Sequence, residues 1–201
     1  MLLSNSWIRG GAYTIRRGRR FAALTATACR RRAATIGGMS KRWKPSVTAA
    51  AIIEREGRFL LVEEETAEGL KLNNPAGHLD PGESPVQCAA REALEESGWV
   101  FVPSFVVGVY LSRFYRPATA EDVTYVRFAF GGDAGEPQAG WVLDEGIMRT
   151  LWMTPAEVRS SVDRHRSPLV LKCVEDHLAG RRYPLEMLTT DVSVYEPDIK
   201  A

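Results

Sequence analysis

The sequence predicts an α/β fold, a sandwich in which helices pack on a mixed β-sheet. Short apolar and β-branched segments, typical of strands, recur along the chain after residue 46. Three helices begin among them, each marked by a hydroxyl side chain followed by proline. Because strands and a few helices are interspersed along the chain, a layered sandwich is favoured over an all-β or all-α domain.

The strands are predicted from apolar runs bounded by turn residues. Residues 47–53 and 58–63 flank a Glu-Arg-Glu-Gly turn, so we predict that they form a hairpin. Residues 101–111 and 123–130 are two further apolar segments of strand length. Residues 151–153, Leu-Trp-Met, predict one more short strand.

The helices are predicted from their caps. The hydroxyl groups of Ser84, Thr154 and Ser167 can each accept a hydrogen bond from the first turn, and proline follows each of them. Gly98 and Gly180 follow the first and third helical segments, and glycine is the favoured residue just beyond a helix end. Three helices of ordinary length are therefore expected.

Charge is distributed very unevenly along the chain. The whole chain has 26 basic and 25 acidic residues and a net charge of +1. Residues 1–45 contain 11 of the basic residues and no acid, whereas residues 46–201 contain 15 basic and 25 acidic residues. The acidic body disfavours nucleic acid as a partner, because phosphates repel carboxylates, and it is compatible with binding of divalent cations.

Residues 1–42 are predicted to be a basic, disordered extension, because they show no sustained hydrophobic period. Two alternatives stay open, since an Arg-rich and acid-free segment also resembles an organellar transit peptide, and basic arms can bind nucleic acid. Residues 43–201 are long enough for one domain. No apolar run approaches membrane-spanning length, and three scattered cysteines favour a reducing compartment, so we expect no membrane partner and a cytoplasmic location.

The helix that begins after Ser84 carries three carboxylates on one face. On a helical wheel, Glu92, Glu95 and Glu96 fall within about 100° of one another. Like charges one turn apart repel, and the second half of a helix disfavours acids, although a solvated acidic face is an alternative. A bound cation would remove the repulsion, and oxygen-only ligands favour Mg²⁺ or Mn²⁺. This arrangement points to metal-assisted hydrolysis of a phosphoanhydride.

The segment around these acids resembles the signature of the Nudix family. It has Gly, five residues, Glu, seven residues, then Arg-Glu-apolar-any-Glu-Glu-any-Gly-apolar, and every constrained position agrees. The matching residues are Gly77, Glu83, Arg91, Glu92, Ala93, Glu95, Glu96, Gly98 and Trp99. The resemblance implies an α/β/α sandwich that uses Mg²⁺ or Mn²⁺ to hydrolyse a nucleoside diphosphate linked to another group.

The resemblance also implies roles for residues. The metal ligands would be three carboxylates and one backbone carbonyl: Glu92, Glu95, Glu96 and Gly77. Arg91 and Glu83 would brace the loop against the helix through an ion pair. The base that activates water would be Glu95, Glu96 or an acid of a later loop. For that acid we favour Glu145 of the Asp144-Glu145 pair. The rival is Glu121-Asp122, and for both pairs a plain solvated turn is the alternative.

Further stretches resemble phosphatases of the NudJ type, and the likeness spans about residues 43–188. They are residues 44–48, 62–65, 74–79, 166–170 and 182–187. This resemblance implies a small-molecule substrate, a nucleoside di- or triphosphate or a thiamin-related pyrophosphate, with release of orthophosphate. Alternatives are an ADP-ribose or sugar-nucleotide pyrophosphatase, a non-catalytic sensor, and an RNA-processing protein that uses the basic arm. A monomer or a homodimer is compatible with the sequence.

Three further residues are candidates for substrate binding. Arg127 interrupts an apolar strand, where a charge is costly unless it is paired or faces a cleft, so it could bind phosphate or form a salt bridge. His78 follows Gly77 and could contact phosphate or brace the loop. Arg182 could bind an anion from the C-terminal side, or simply cap the preceding helix.

Overall fold

A computed structural model describes residues 43–116 and 120–196, so the predicted basic extension, residues 1–42, lies outside the described residues. The strands are β1 Ser46–Ile52, β2 Glu54–Arg55, β3 Arg58–Thr66, β4 Gly69–Asn73, β5 Ala76–His78, β6 Trp99–Arg116, β7 Glu121–Pro137 and β8 Ile147–Met153. The helices are α1 Pro85–Ser97, α2 Pro155–Ser160 and α3 Leu169–Leu178. None of the helices in this part of the chain is long and apolar enough to span a bilayer.

The strands of the described residues form two sheets of four strands each. The first has the order β5-β1-β7-β6, with β1 parallel to β7 and the other pairs antiparallel. In the second, β3 pairs antiparallel with β2, β4 and β8. The prediction of a mixed sheet is therefore confirmed.

The predicted hairpin between residues 47–53 and 58–63 is wrong, because β1 and β3 lie in different sheets. The turn instead joins the two-residue strand β2 to β3. Both long segments are buried almost throughout, so neither shows the alternation that would identify its partner. Strands β6 and β7 extend well beyond their predicted bounds because they pair with each other in one long antiparallel ribbon.

Strand β1 is the centre of a three-layer core. Its side chains alternate between two clusters: Ala50 and Ile52 pack with α2 and α3, while Ala49 and Ala51 pack with α1. A strand buried on both faces is typical of a sheet covered by helices on both sides. The α/β/α sandwich expected from the sequence is confirmed.

The first helix has the caps that the sequence predicts. Ser84 accepts a hydrogen bond from Gln87 N, and the Gln87 side chain accepts one from Ser84 N, which completes a capping box. Gly98 ends the helix with φ of 72°, a left-handed conformation that is strained for residues with a Cβ atom. These caps set the start and end of the helix that carries the glutamates.

A buried carboxylate ties β3 to two other elements. Glu63 is only 3% exposed, and it accepts hydrogen bonds from Arg149 on β8 (2.7 Å) and from Arg164 in the turn after α2. The hydrogen bond from Arg149 lowers the pKa of Glu63 below its ordinary value of 4.5, although burial opposes that change. Because ionised Glu63 is favoured in the folded state, its stabilising effect is present above pH 4.5 and is lost as the pH falls.

We expect Glu63→Gln to lower the free energy of unfolding by about 1.5–3 kcal/mol at pH 7, the range for hydrogen bonds to charged groups. Urea unfolding of both proteins between pH 7 and pH 3 would measure the difference, which should shrink below about pH 4.5. Glu65→Gln, at an exposed position on the same strand, is the control and should change little. A difference that stays constant over this pH range would contradict the assignment.

Candidate active site

The site is built where β5 meets the middle of α1. Strand β5 pairs with β1, with Gly77 opposite Ala49, and this pairing holds the loop against the helix. A Cβ atom on Gly77 would lie 2.0 Å from Glu92 Oε1, so only glycine permits the carboxylate to approach the backbone here. Ala76 N donates to Glu96 Oε2 at 2.8 Å and connects the same strand to a second glutamate.

Arg91 is the hub of the hydrogen bonds at this site. Its guanidinium donates to both oxygens of Glu83, at 3.0 and 2.6 Å, in a bidentate pair. Its Nη1 donates to Glu92 Oε1 at 2.7 Å and to Glu95 Oε2 at 2.8 Å. Its Nη2 also reaches the carbonyl of His78 at 3.1 Å. One cation therefore joins the loop and the acidic face of the helix.

The glutamates of the site differ in their electrostatic surroundings. Burial alone would raise the pKa of Glu83, but hydrogen bonds from Arg91 and from the backbone outweigh it and lower the pKa. Burial raises the pKa of Glu92 despite its bond to Arg91. Burial also raises the pKa of Glu96 to about 8, although the Ala76 N–H bond opposes the rise. Charges that raise the pKa of Glu96 further come from Glu92, Glu64 and Asp144.

A later loop brings a fourth carboxylate to this end of α1. Asp144 N donates to Glu95 O at 3.2 Å, and Trp141 Nε1 donates to the same carbonyl at 3.3 Å. Asp144 is among the charges that raise the pKa of both Glu92 and Glu96. The loop thus satisfies a carbonyl in the last turn of the helix and also places an acid beside the glutamates.

The donor set suits a hard divalent cation. Several carboxylates lie close together, and two of them, Glu92 and Glu96, are buried. Burial and mutual repulsion raise the pKa values of these two glutamates, and a bound cation would lower them again. Within residues 43–116 and 120–196, no three His, Cys, Asp or Glu side chains are already arranged as a ligand set for one ion. Arg91 bonds one oxygen each of Glu92 and Glu95.

Of the three residues predicted to bind substrate, two lie near the glutamates. His78 is exposed directly after Gly77, with its ring 5.7 Å from the ring of Tyr125. Arg127 is 8% exposed, and its charge interacts with that of Glu96. Arg182 lies elsewhere, over the ring of Phe105 at 4.6 Å, and it donates to His177 O. The structure therefore does not bring Arg182 together with the other two.

The two acid pairs considered for the base also differ in position. The charge of Asp144 acts on Glu92 and Glu96, as described, and both Asp144 and its neighbour Glu145 are exposed. Asp122 is exposed near the end of the β6–β7 ribbon, where it forms an ion pair with Arg113. The sequence alone could not separate Asp144 from Glu145, because both occupy one predicted turn.

Sequence reasoning missed a set of polar groups next to the site. Within the described part of the chain, six residues have buried side-chain atoms with no hydrogen-bond partner, and one of them is His177 on α3. The other five are Thr48, Glu64, Asn73, Asn74 and Arg127, and we call these five the buried polar cluster, in which Glu64 also forms an ion pair with Arg166 at 3.5 Å. Of these, only Arg127 gave a signal in the sequence, as a charge within an apolar strand. The two asparagines could have been noticed as adjacent amides at the end of a strand, since Asn73 is the last residue of β4 and Asn74 follows it.

Comparison with known proteins agrees with the geometry. Residues 43–173 match the family model of the NUDIX domain. Phosphatase NudJ of Escherichia coli K12 is 35% identical over 147 residues, which cover 73% of this chain and 92% of that protein.

Solved structures show the same fold. A NUDIX hydrolase from Nitrosomonas europaea is 44% identical, with a TM-score of 0.68, and the match covers 74% of this chain and 98% of that one. The MutT protein from Methanosarcina mazei is 23% identical, with a TM-score of 0.53, and is similar in fold alone. That match covers 69% of this chain and 98% of the MutT chain. On the match of residues 43–173 and these relatives, the chain belongs to the Nudix family of phosphoanhydride hydrolases.

Proposed function

We propose that the protein is a Mg²⁺-dependent phosphatase of the NudJ type, which hydrolyses nucleoside di- or triphosphates or thiamin-related pyrophosphates and releases orthophosphate. The observation that carries the proposal is the convergence of Glu92, Glu95, Glu96 and Asp144 beside the backbone of Gly77. The similarity to Phosphatase NudJ of Escherichia coli supports this type of reaction. Residues 43–201 would form the catalytic domain, and residues 1–42 an extension to it.

In this proposal the cation would be held by oxygen atoms only: Glu92, Glu95, Glu96 and the Gly77 carbonyl. Arg91 bonds Glu92 Oε1 and Glu95 Oε2, which leaves the second oxygen of each carboxylate for the cation. When bound, Mg²⁺ would supply Lewis-acid polarisation of the phosphate oxygens. Mn²⁺ could replace it, since both prefer hard oxygen ligands. Glu83 would keep Arg91 in place through its bidentate bond.

The base would be Asp144 in the geometry described here, rather than the neighbouring Glu145 favoured from the sequence. The backbone N–H of Asp144 donates to Glu95 O, and the charge of Asp144 raises the pKa values of Glu92 and Glu96. Its carboxylate would accept the proton of the attacking water, while Glu95 and Glu96 hold their positions. The cytoplasmic location and the oligomeric state stay predictions.

The product distinguishes this reaction from that of the rival enzymes. Incubation with each substrate and Mg²⁺, followed by separation of the products, should yield orthophosphate from a nucleoside triphosphate. Formation of AMP from ADP-ribose, without orthophosphate from nucleotides, would instead favour a pyrophosphatase of ADP-ribose or sugar nucleotides. Absence of hydrolysis from every substrate would favour a non-catalytic sensor.

We expect Glu96→Gln to lower kcat by about 100-fold or more, because the amide cannot supply a negatively charged oxygen. The fold should survive, since Glu96 is buried among other acids and its loss relieves repulsion. Steady-state kinetics and a melting curve would test both statements. Glu68→Gln, at an exposed position in the turn before β4, is the control. Near-normal turnover by Glu96→Gln would remove the basis of the proposal.

The neighbouring acids provide a matched pair of variants. Asp144→Asn should lower kcat by about 100-fold with little change in KM, because a general base acts in the chemical step. Glu145→Gln, which removes an exposed carboxylate one residue away, should leave kcat within about twofold. If the two effects are reversed, Glu145 is the base, as the sequence first suggested.

Gly77→Ala tests the close contact between loop and helix. The added Cβ atom would lie 2.0 Å from Glu92 Oε1, so the carboxylate must move. We expect the Mg²⁺ concentration for half-maximal activity to rise about tenfold or more, as when the support of a metal ligand is lost. Gly135→Ala is the control, because its Cβ would meet no atom nearer than 3.7 Å. An unchanged Mg²⁺ requirement would show that Glu92 is not a ligand.

A further inference from the structure

The loop between β7 and β8, residues 138–146, is the segment that brings Asp144 to the end of α1. It begins after Pro137 and ends before Ile147, where these two strands end and begin. All of its residues except Leu143 are exposed. A loop with so little buried surface depends on individual contacts for a fixed position, because few apolar contacts hold it.

The C-terminal end of α1 provides an acceptor for this loop. Within a helix the Glu95 carbonyl would accept from the N–H four residues on, but Trp99 N donates to Ser97 Oγ instead. The Glu95 carbonyl is thus a free acceptor at a helix end, where the helix dipole favours N–H donors. The β7–β8 loop supplies two donors, Trp141 Nε1 at 3.3 Å and Asp144 N at 3.2 Å.

Trp141 also packs on the C-cap of the helix. A Cβ atom on Gly98 would lie 3.2–3.3 Å from Cβ, Cδ1 and Cγ of Trp141, so the side chain lies directly over this glycine. The start of the loop is tied to the same residue, since Gln138 N donates to Gly98 O at 2.8 Å. The indole is therefore held on α1 by packing and by a hydrogen bond.

The shared acceptor couples the position of Trp141 to that of Asp144. The two residues are three apart in the chain and donate to one oxygen, so a shift of the indole moves the turn that carries Asp144. At the far end of the loop, Glu65 N on β3 donates to Gly146 O at 2.8 Å. Of the side chains of residues 138–146, only that of Trp141 hydrogen-bonds another part of the described chain.

The position of Asp144 matters because its charge reaches the glutamates of the site. That charge contributes to the raised pKa values of Glu92 and Glu96. A general base must lie within about 2.6–3.2 Å of the group whose proton it accepts. A misplacement of about 1 Å can lower a rate by about 100-fold, so the anchor of the loop bears directly on the reaction.

A purely stabilising role accounts less well for Trp141. The side chain is 38% exposed, so it buries less apolar area than a core tryptophan and contributes less to the stability of the fold. Its hydrogen bond is exposed as well and adds little free energy. The bond is directional, however, and it ends on the same oxygen as the bond from Asp144 N.

We propose that Trp141 is a positioning residue for the reaction: its indole docks on Gly98 and donates to the Glu95 carbonyl, and this holds Asp144 where it can accept a proton from the attacking water. The inference rests on the proposed function, in which Asp144 is the base. In this assignment Trp141 itself touches neither the substrate nor the cation.

Two variants separate the ring of Trp141 from its N–H group. Trp141→Phe keeps a ring over Gly98 and removes the donor, whereas Trp141→Ala removes both. The probes are the four ribonucleoside triphosphates and thiamin diphosphate with Mg²⁺, and the kinetics use the one that the full-length wild type hydrolyses fastest. We expect kcat to fall about threefold in Trp141→Phe and about tenfold or more in Trp141→Ala, with KM within about twofold. Val142→Ala, at an 85% exposed position in the same loop, is the control and should leave kcat unchanged.

A double-mutant cycle with Asp144→Asn provides a readout that a structural role would not change. If Trp141 acts through Asp144, Trp141→Ala should lower kcat less than about twofold when Asp144→Asn is already present. The Mg²⁺ concentration for half-maximal activity should also stay within about twofold, because the metal ligands keep their positions. Equal effects of Trp141→Ala in both backgrounds would overturn the inference. A raised Mg²⁺ requirement with normal kcat at saturating Mg²⁺ would also overturn it.

Melting temperature distinguishes a local change from a loss of folding. Trp141→Phe should melt within about 4 °C of the wild type, the shift that corresponds to one exposed hydrogen bond in a domain of this size. Because this variant keeps the ring, it tests the inference even if Trp141→Ala is poorly folded.

The outcomes separate this inference from the function on which it rests. If Asp144→Asn lowers kcat while both Trp141 variants match the wild type, the inference is wrong and the proposed function stands. If Asp144→Asn has normal kcat, the choice of base and this inference are both wrong, and the phosphatase activity stands. Lack of hydrolysis of every probe by the wild type overturns the proposed function and the inference with it.

Discussion

The main physical constraint on the candidate active site is the electrostatic repulsion among carboxylates that the fold brings close together. Glu92 and Glu96 are buried on one face of α1, and Asp144 approaches the same region from a later loop. Arg91 offsets part of this negative charge by joining Glu83, Glu92 and Glu95 through one guanidinium. Burial, and after it the remaining repulsion, raises the pKa values of Glu92 and Glu96, and together these two effects are the physical reason why a divalent cation is expected to bind here.

The rest of the architecture keeps these acids in position. Strand β1 is buried on both faces, so it joins the core beneath α1 to the core beneath α2 and α3. Its pairing with β5 fixes Gly77 next to Glu92, and the capping box at Ser84 fixes where the helix begins. A stable, apolar framework thus supports a charged site that would be unstable as an isolated helix.

The buried polar cluster differs from the rest of the core, because each of its members has a buried side-chain atom without a hydrogen-bond partner. Most buried groups of the described residues are apolar or paired, and two of the exceptions, Glu64 and Arg127, have charges that interact with that of Glu96. Glu63, on the same strand as Glu64, is satisfied by Arg149 and Arg164. Neighbouring acids on one strand therefore differ in their hydrogen-bond partners, because successive side chains of a strand point to opposite faces of the sheet.

The sequence by itself determined the fold class, the caps of α1 and the acidic face of that helix, because these depend on local spacing and on residue type. It also indicated Arg127, as a charge within an apolar strand. Only the tertiary structure decided that β1 and β3 belong to separate sheets, that the charge of Asp144 acts on Glu92 and Glu96, and that Arg182 lies over the ring of Phe105. Strands buried on both faces carry no alternation that would reveal their partners, and contacts between distant segments depend on how those strands pair.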